Sequence, residues 1–195
     1  MLAAVLLAGL ATSCKKGEDD PLVSLRTRKA RVTGEWKVTG IESTSTSDDG
    51  TTKVETSTTY DGSTATTTTV TTQSGGSPIT TTGSNTFTVV YTFDKDGSYS
   101  CVREYIGNSS TETGSWSFIL KSKENELKNK EAIMLVPQTI TNSNGYTSQY
   151  EVSQGQVLVI KQLKNKEIVW TRNSSSTSPG NASVTDEETM TLTKQ

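Results

Sequence analysis

Few residues in this sequence could do covalent or acid–base chemistry. The 195-residue chain has no histidine, which removes the commonest general base near neutral pH, the usual catalytic triads and most zinc sites. Its two cysteines, Cys14 and Cys101, are far apart and in different settings. Cys14 ends an apolar stretch, while Cys101 falls on the apolar parity of an alternating run, as a small buried hydrophobe would. With no histidine to activate it, Cys101 is not expected to be a nucleophile. The acidic clusters read as turns or solvated positions. Asp94-Lys95-Asp96-Gly97 has the first spacing of a calcium loop, but the later ligands and terminal Glu are missing. Asp48-Asp49-Gly50 is a turn, and Asp186-Glu187-Glu188 reads as a solvated strand start. Gly75-Gly76 lacks the Lys-Ser/Thr partner of a phosphate loop. No catalytic residue, metal or cofactor is expected.

Cys14 is where chemistry concentrates. Residues Met1 to Ser13, MLAAVLLAGLATS, are apolar or small throughout. The run is shorter than the roughly 20 residues that span a bilayer, and has the length of a signal-peptide core ending in small residues. Ala11-Thr12-Ser13-Cys14 resembles a bacterial lipobox, although Ala11 stands where that pattern prefers Leu and no Lys or Arg precedes the apolar run. The resemblance implies a signal peptide over 1–13, cleavage before Cys14, and lipid on its sulfur. Lys15-Lys16-Gly17-Glu18-Asp19-Asp20-Pro21 follows as a polar tether. A cysteine followed by two lysines and an acidic cluster resembles the export signal of Bacteroidetes surface lipoproteins, which implies the outer membrane, at its periplasmic face or at the cell surface. One acyl chain anchors marginally, whereas two or more hold durably. The membrane, through that anchor, is the first expected partner.

The rest of the chain must supply a fold. Hydrophobic residues make up only 31% and charged ones 21%, with a formal net charge of −2. No clustered Lys/Arg face is available for nucleic acid. The length suits one domain, 22–195, after the tether. Asp20-Pro21 has the form of a helix start, with Leu22, Leu25 and Val32 as a weak apolar stripe and Arg26, Arg28, Lys29 and Arg31 solvated, ending near Gly34.

From Gly34 the pattern is strand after strand. Phe87, Val89, Tyr91 and Phe93 alternate with threonines, so one face of that strand is buried. Asp94 to Gly97 turns the chain, and Tyr99, Cys101, Arg103 and Tyr105 share one side of the next strand. After Ile106-Gly107-Asn108-Ser109, period two resumes from Gly114 through Trp116 and Phe118 to Leu120. Further strands are expected at 132–136, 146–152, 157–160, 168–171 and 190–193, with a turn inside 151–157. The predicted class is all-β, a sandwich or barrel with a short N-terminal helix.

Residues 43–84 stand apart: 25 of the 42 are Ser or Thr. A buried hydroxyl without a partner costs roughly 1–3 kcal/mol, so this insertion cannot fill a dry core on both faces. Threonine nevertheless favours strands, and Tyr60-Asp61-Gly62-Ser63 has the form of a hairpin tip. Two forms fit: a long Thr-rich hairpin standing partly clear of the body or lining a wet cavity, and a disordered low-complexity loop. Residues 173–183 repeat the composition and read as a mobile loop.

Gly34-Glu35-Trp36 resembles the Gly-x-Trp element of lipocalins. Tyr91 to Gly97, followed by Gly114-Ser115-Trp116, is similar to bacterial lipocalin-like lipoproteins. Arg172 after Trp170 is the nearest candidate for the family's late arginine, and the Thr-rich insertion has no counterpart in the pattern. The resemblance implies an antiparallel up-and-down barrel of about eight strands that holds one small ligand. Trp36 would close its bottom. Phe87, Tyr91, Phe93, Tyr99, Trp116 and Phe118 would fill the core or touch an apolar or amphipathic ligand. The rival expectation is a surface protein that binds a protein or glycan through the Thr-rich hairpin.

Overall fold

A computed structural model describes residues 27–119, 131–150, 155–177 and 183–195. The expected signal peptide, Cys14, the tether and the helix start at Asp20-Pro21 lie outside these residues, as does most of the turn expected in 151–157.

The described residues form eleven strands: β1 Gly34–Asp48, β2 Thr52–Tyr60, β3 Thr64–Gln73, β4 Ile79–Phe93, β5 Ser98–Tyr105, β6 Asn108–Ile119, β7 Glu131–Asn142, β8 Thr147–Gln149, β9 Gln156–Leu163, β10 Glu167–Thr177 and β11 Ser183–Lys194. Among the described residues one short helix precedes them, α1 Arg28–Val32. The sheet runs β6-β5-β4-β3-β2-β1-β11-β10-β9-β7 and closes through a β6–β7 pairing. It is an antiparallel up-and-down barrel of ten strands, with β8 outside it on β7.

The two strands beyond the expected eight come from the Thr-rich segment. β1 and β4 pair directly only over Gly34–Lys37 with Val90–Phe93. At that level eight strands circle the axis. Further along, β1 and β4 part and the β2–β3 hairpin fills the gap between them. Its turn points into the body, not away from it. The Phe87 amide donates to the Ser63 carbonyl at 2.9 Å, the Tyr60 hydroxyl to the Phe87 carbonyl at 2.9 Å, and a Cβ on Gly62 would lie 3.4 Å from Thr39 Cα. The free ends are the turns at 49–51 and 74–78. The single projecting hairpin is thus corrected to two integrated strands plus the outer halves of β1 and β4.

This gives the barrel one tall wall. β5 ends at Tyr105, opposite Phe87. On the other side β1 continues from Ile41 to Asp48 alongside β2 and β11. Those seven steps add roughly 23 Å at about 3.3 Å per residue. Among the described residues, the upper half of β4 pairs only with β3, and β10 beyond Thr171 only with β11. Residues 173–177, expected as loop, belong to β10, and Asp186 to Glu188 lie inside β11. The wall has no apolar core. In β2, half-buried Thr52, Val54, Thr56 and Thr58 alternate with exposed Lys53, Glu55, Ser57 and Thr59. Cross-strand hydroxyl pairs, Thr56–Thr69 at 3.3 Å and Thr58–Thr67 at 2.9 Å, bind a sheet whose threonines already favour extended backbone.

The apolar core fills the lower barrel. Trp36, Phe93, Trp170, Ile133, Ile160 and Leu192 are all fully buried, each contributing about 1.5–3 kcal/mol by area removed from water. Helix α1 closes the base. Thr27 caps it by accepting from the Ala30 amide at 3.2 Å, Val32 is buried, and the Val32 carbonyl accepts from Trp36 Nε1 at 2.6 Å. Arg28 and Arg31, expected in solvent, turn inward instead. Arg28 pairs with Glu131, and Arg31 donates to the Leu163 carbonyl at 2.6 Å. Each stem covers core while the head finds an oxygen.

Candidate functional site

Strands β4, β5 and β6 place all six predicted rings, Phe87, Tyr91, Phe93, Tyr99, Trp116 and Phe118, on the barrel's inner parity, but not in one pocket. Four form the packed interior. Phe93 meets Trp116 edge to face at 5.6 Å and Tyr99 at 6.3 Å, and Tyr91 meets Trp170 edge to face at 5.6 Å. Trp116 Nε1 donates to the Asp94 carbonyl at 3.0 Å, which fixes its ring against the turn. Phe118 lies beside Trp116 toward the base, opposite Ile133. Phe87 is at the other end, at the mouth.

At the mouth the rings form a shelf. Phe87 stacks on Tyr60 at 4.7 Å with planes 13° apart, and leans on Tyr105 at 5.6 Å. Phe87 is half-buried, and Tyr105 is 47% exposed. Tyr150, Tyr146 and Ile106 extend this apolar rim on the low side of the barrel, all exposed. The tall wall faces it with hydroxyls, the Arg172–Glu188 pair at 3.4 Å, and Asp186 accepting from Ser174 at 2.9 Å.

Beneath the shelf is a polar cluster. Cross-strand register sets Arg103 opposite Val89 and Glu112 opposite Cys101. Glu112 is 6% exposed, yet its oxygens are engaged: Oε1 accepts from Tyr99 at 2.9 Å, and Oε2 from Tyr150 at 3.2 Å. Arg103 reaches Oε2 only at 3.8 Å. Burial pushes the Cys101 thiol up to about 11. It also raises Tyr91 and Tyr99, the latter further through the Glu112 carboxylate. All three stay neutral at pH 7, so Cys101 is a structural thiol, free and fully buried. Among the described residues no group of acidic or cysteine side chains could hold a metal.

The sequence placed Arg103 on the apolar side of its strand without a role, and it did not single out Glu112 and Trp170 as interior polar groups or Tyr150 as the rim partner of Glu112. For Glu112 the signal was present: it shares the parity of Gly114, Trp116 and Phe118, where a carboxylate needs a partner. The cation over the Trp36 ring is Lys194, whose Nζ lies 5.0 Å from the ring centroid and donates to the Thr33 carbonyl at 2.7 Å, while Arg172 pairs with Glu188. An open recess of about 440 Å³ beside Lys194, Lys166, Asn165 and Gln195 lies at this closed end, away from the rings.

Comparison with known proteins adds no relative: no family model matches the chain, and neither a curated protein nor a solved structure does. No helix among the described residues is long and apolar enough to cross a membrane.

Proposed function

We propose that this chain is a non-catalytic, lipid-anchored outer-membrane protein whose lipocalin-like barrel binds a small apolar or amphipathic molecule at its mouth. The shelf of Tyr60, Phe87 and Tyr105 carries this reading. It leaves the Phe87 ring half-buried and the Tyr105 ring exposed at the open end of the barrel, beside an exposed apolar rim, where a chain with no ligand to bind would gain by covering them. The anchor is Cys14. Helix α1, the first described element, lies across the base, at the end of the barrel opposite the mouth.

The barrel closes entirely within residues 34–195, so a soluble form beginning at Lys15 retains it. The test is native mass spectrometry of that form, with solvent extraction of what it carries. A retained apolar compound that competes with a fluorescent lipid probe supports the carrier; a clean mass with no probe binding opposes it. Anchoring is tested separately, by metabolic labelling of the full chain with a clickable fatty acid. Label on wild type and none on Cys14→Ser is the expected result.

A second reading is favoured by the ordered wall. Upper β4, Ile79 to Thr86, is an edge with neither charge nor proline, the devices that normally block strand addition. A surface protein could present it to a protein or glycan. If Thr82→Lys abolishes cell-surface adhesion and spares lipid-probe binding, the wall is the functional surface and the mouth is not.

A further inference from the structure

Resting on the ligand reading above, we propose that the bound molecule carries an anionic, acceptor-rich head group of carboxylate type, which Arg103 engages at the mouth. The polar groups of the interior divide by whether their hydrogen-bonding capacity is already used. Both Glu112 oxygens are taken, by the Tyr99 and Tyr150 hydroxyls. The Arg103 guanidinium has a single ionic contact among the described residues, Glu112 Oε2 at 3.8 Å, too long for a formed hydrogen bond. Among the described residues its fork of donors makes no hydrogen bond, and its side chain is 30% exposed on the inner face toward the mouth.

The unclaimed group at the mouth is therefore a donor, while the carboxylate is spoken for. A cationic head group would have to strip two tyrosines from Glu112. An anionic one meets a guanidinium held only by its 3.8 Å ionic contact with Glu112, whose planar fork matches a carboxylate with two parallel bonds. Further up the wall, Arg172 is paired with Glu188, and Asp186 accepts from Ser174, so neither competes for the head group. Tyr105 and Phe87 sit next along the same inner face, where the apolar tail of such a ligand would lie.

The experiment uses the soluble form from Lys15 onward with three ligands of one chain length: a medium-chain fatty acid, its alcohol and its amine. Binding is followed by tryptophan fluorescence and calorimetry at about pH 8, where the acid is ionised and the amine protonated. The acid is expected to bind tenfold to a hundredfold tighter than the alcohol, the range of a charge-assisted contact, with the amine weakest. Arg103→Gln should reduce the acid to the alcohol's affinity and leave the alcohol unchanged. Arg103→Lys, a guard against misfolding of the first variant, should keep part of the preference. Equal binding of acid and alcohol, preference for the amine, or an acid preference that survives Arg103→Gln overturns the head-group assignment while leaving ligand binding intact. No binding of all three overturns the ligand reading itself.

Discussion

The two Gly-x-Trp elements need their glycines for different reasons. Gly114 sits at a bulge where β6 meets β7 at Pro137, and an added Cβ would lie 2.2 Å from the Val136 carbonyl oxygen and 2.8 Å from Tyr99. Neither backbone nor packed ring can yield. Gly114→Ala should therefore cost about 1–3 kcal/mol, the usual range for overpacking, read as a lower urea midpoint with unchanged slope. Gly34 instead has φ of 121°, a conformation that side chains resist. Cys101 makes a cleaner residue-scale test, because it is the only cysteine left when residues 1–14 are absent. Burial raises its thiol to about 11, so it should be inert to an aromatic disulfide reagent at pH 8 and react fully once the protein is denatured. The inward parity of Arg103, Glu112 and the six rings was legible, since alternation fixes parity. Their pairing was not: Glu112 meets Tyr150 only because β8 folds back on β7, which no local pattern encodes.

At the level of elements, three turns share one chemistry. In Asp49-Gly50-Thr51, Asp61-Gly62-Ser63 and Asp96-Gly97-Ser98, the aspartate Oδ1 accepts from the backbone amide and hydroxyl two residues on. The glycine takes positive φ, at 82°, 95° and 98°. Hydrogen bonds from Thr51, Thr64 and Ser98 are the largest cause in turn, and hold all three carboxyls below the usual carboxylate range. A depressed folded pKa stabilises above the unfolded value, about 3.9, and that contribution is lost as pH falls through the folded value. The melting temperature should be flat from neutral pH to about pH 5 and fall below about pH 4. The turns are not equal in consequence. Asp61 holds the buried end of the β2–β3 hairpin against Thr39 and Phe87, whereas Asp49 holds a free end of the wall. Asp61→Ala should lower the melting temperature by several degrees and Asp49→Ala by little, in parallel thermal scans. All three turns were visible as Asp-Gly sequences. The direction of the hairpin was not, because a run of threonines has no apolar parity to fix register or say which end is inside.

The whole molecule is a barrel of two chemistries, an aromatic lower half and a hydroxyl-lined wall on one side of the mouth. The number and regularity of the strands left a sandwich or a barrel, and the barrel was what the lipocalin resemblance implied. The count of ten was not legible, since the hairpin joins the ring only where β1 and β4 separate. Hydrogen exchange should show the division: amides at 89–93 and 190–193 protected longest, those at 79–86 and 172–177 released first, as expected of edges without a packed face. The central claim is that the ligand sits at the mouth and not among the lower rings. Phe87 and Phe118 are both half-buried phenylalanines on the inner parity, one at each end, so comparing them is the most direct test. In a displacement titration with a fluorescent fatty acid, Phe87→Ala should weaken binding tenfold or more, roughly what loss of a buried ring contributes. Phe118→Ala should leave it unchanged. Equal loss in both variants, or loss confined to Phe118→Ala, would contradict a ligand at the mouth.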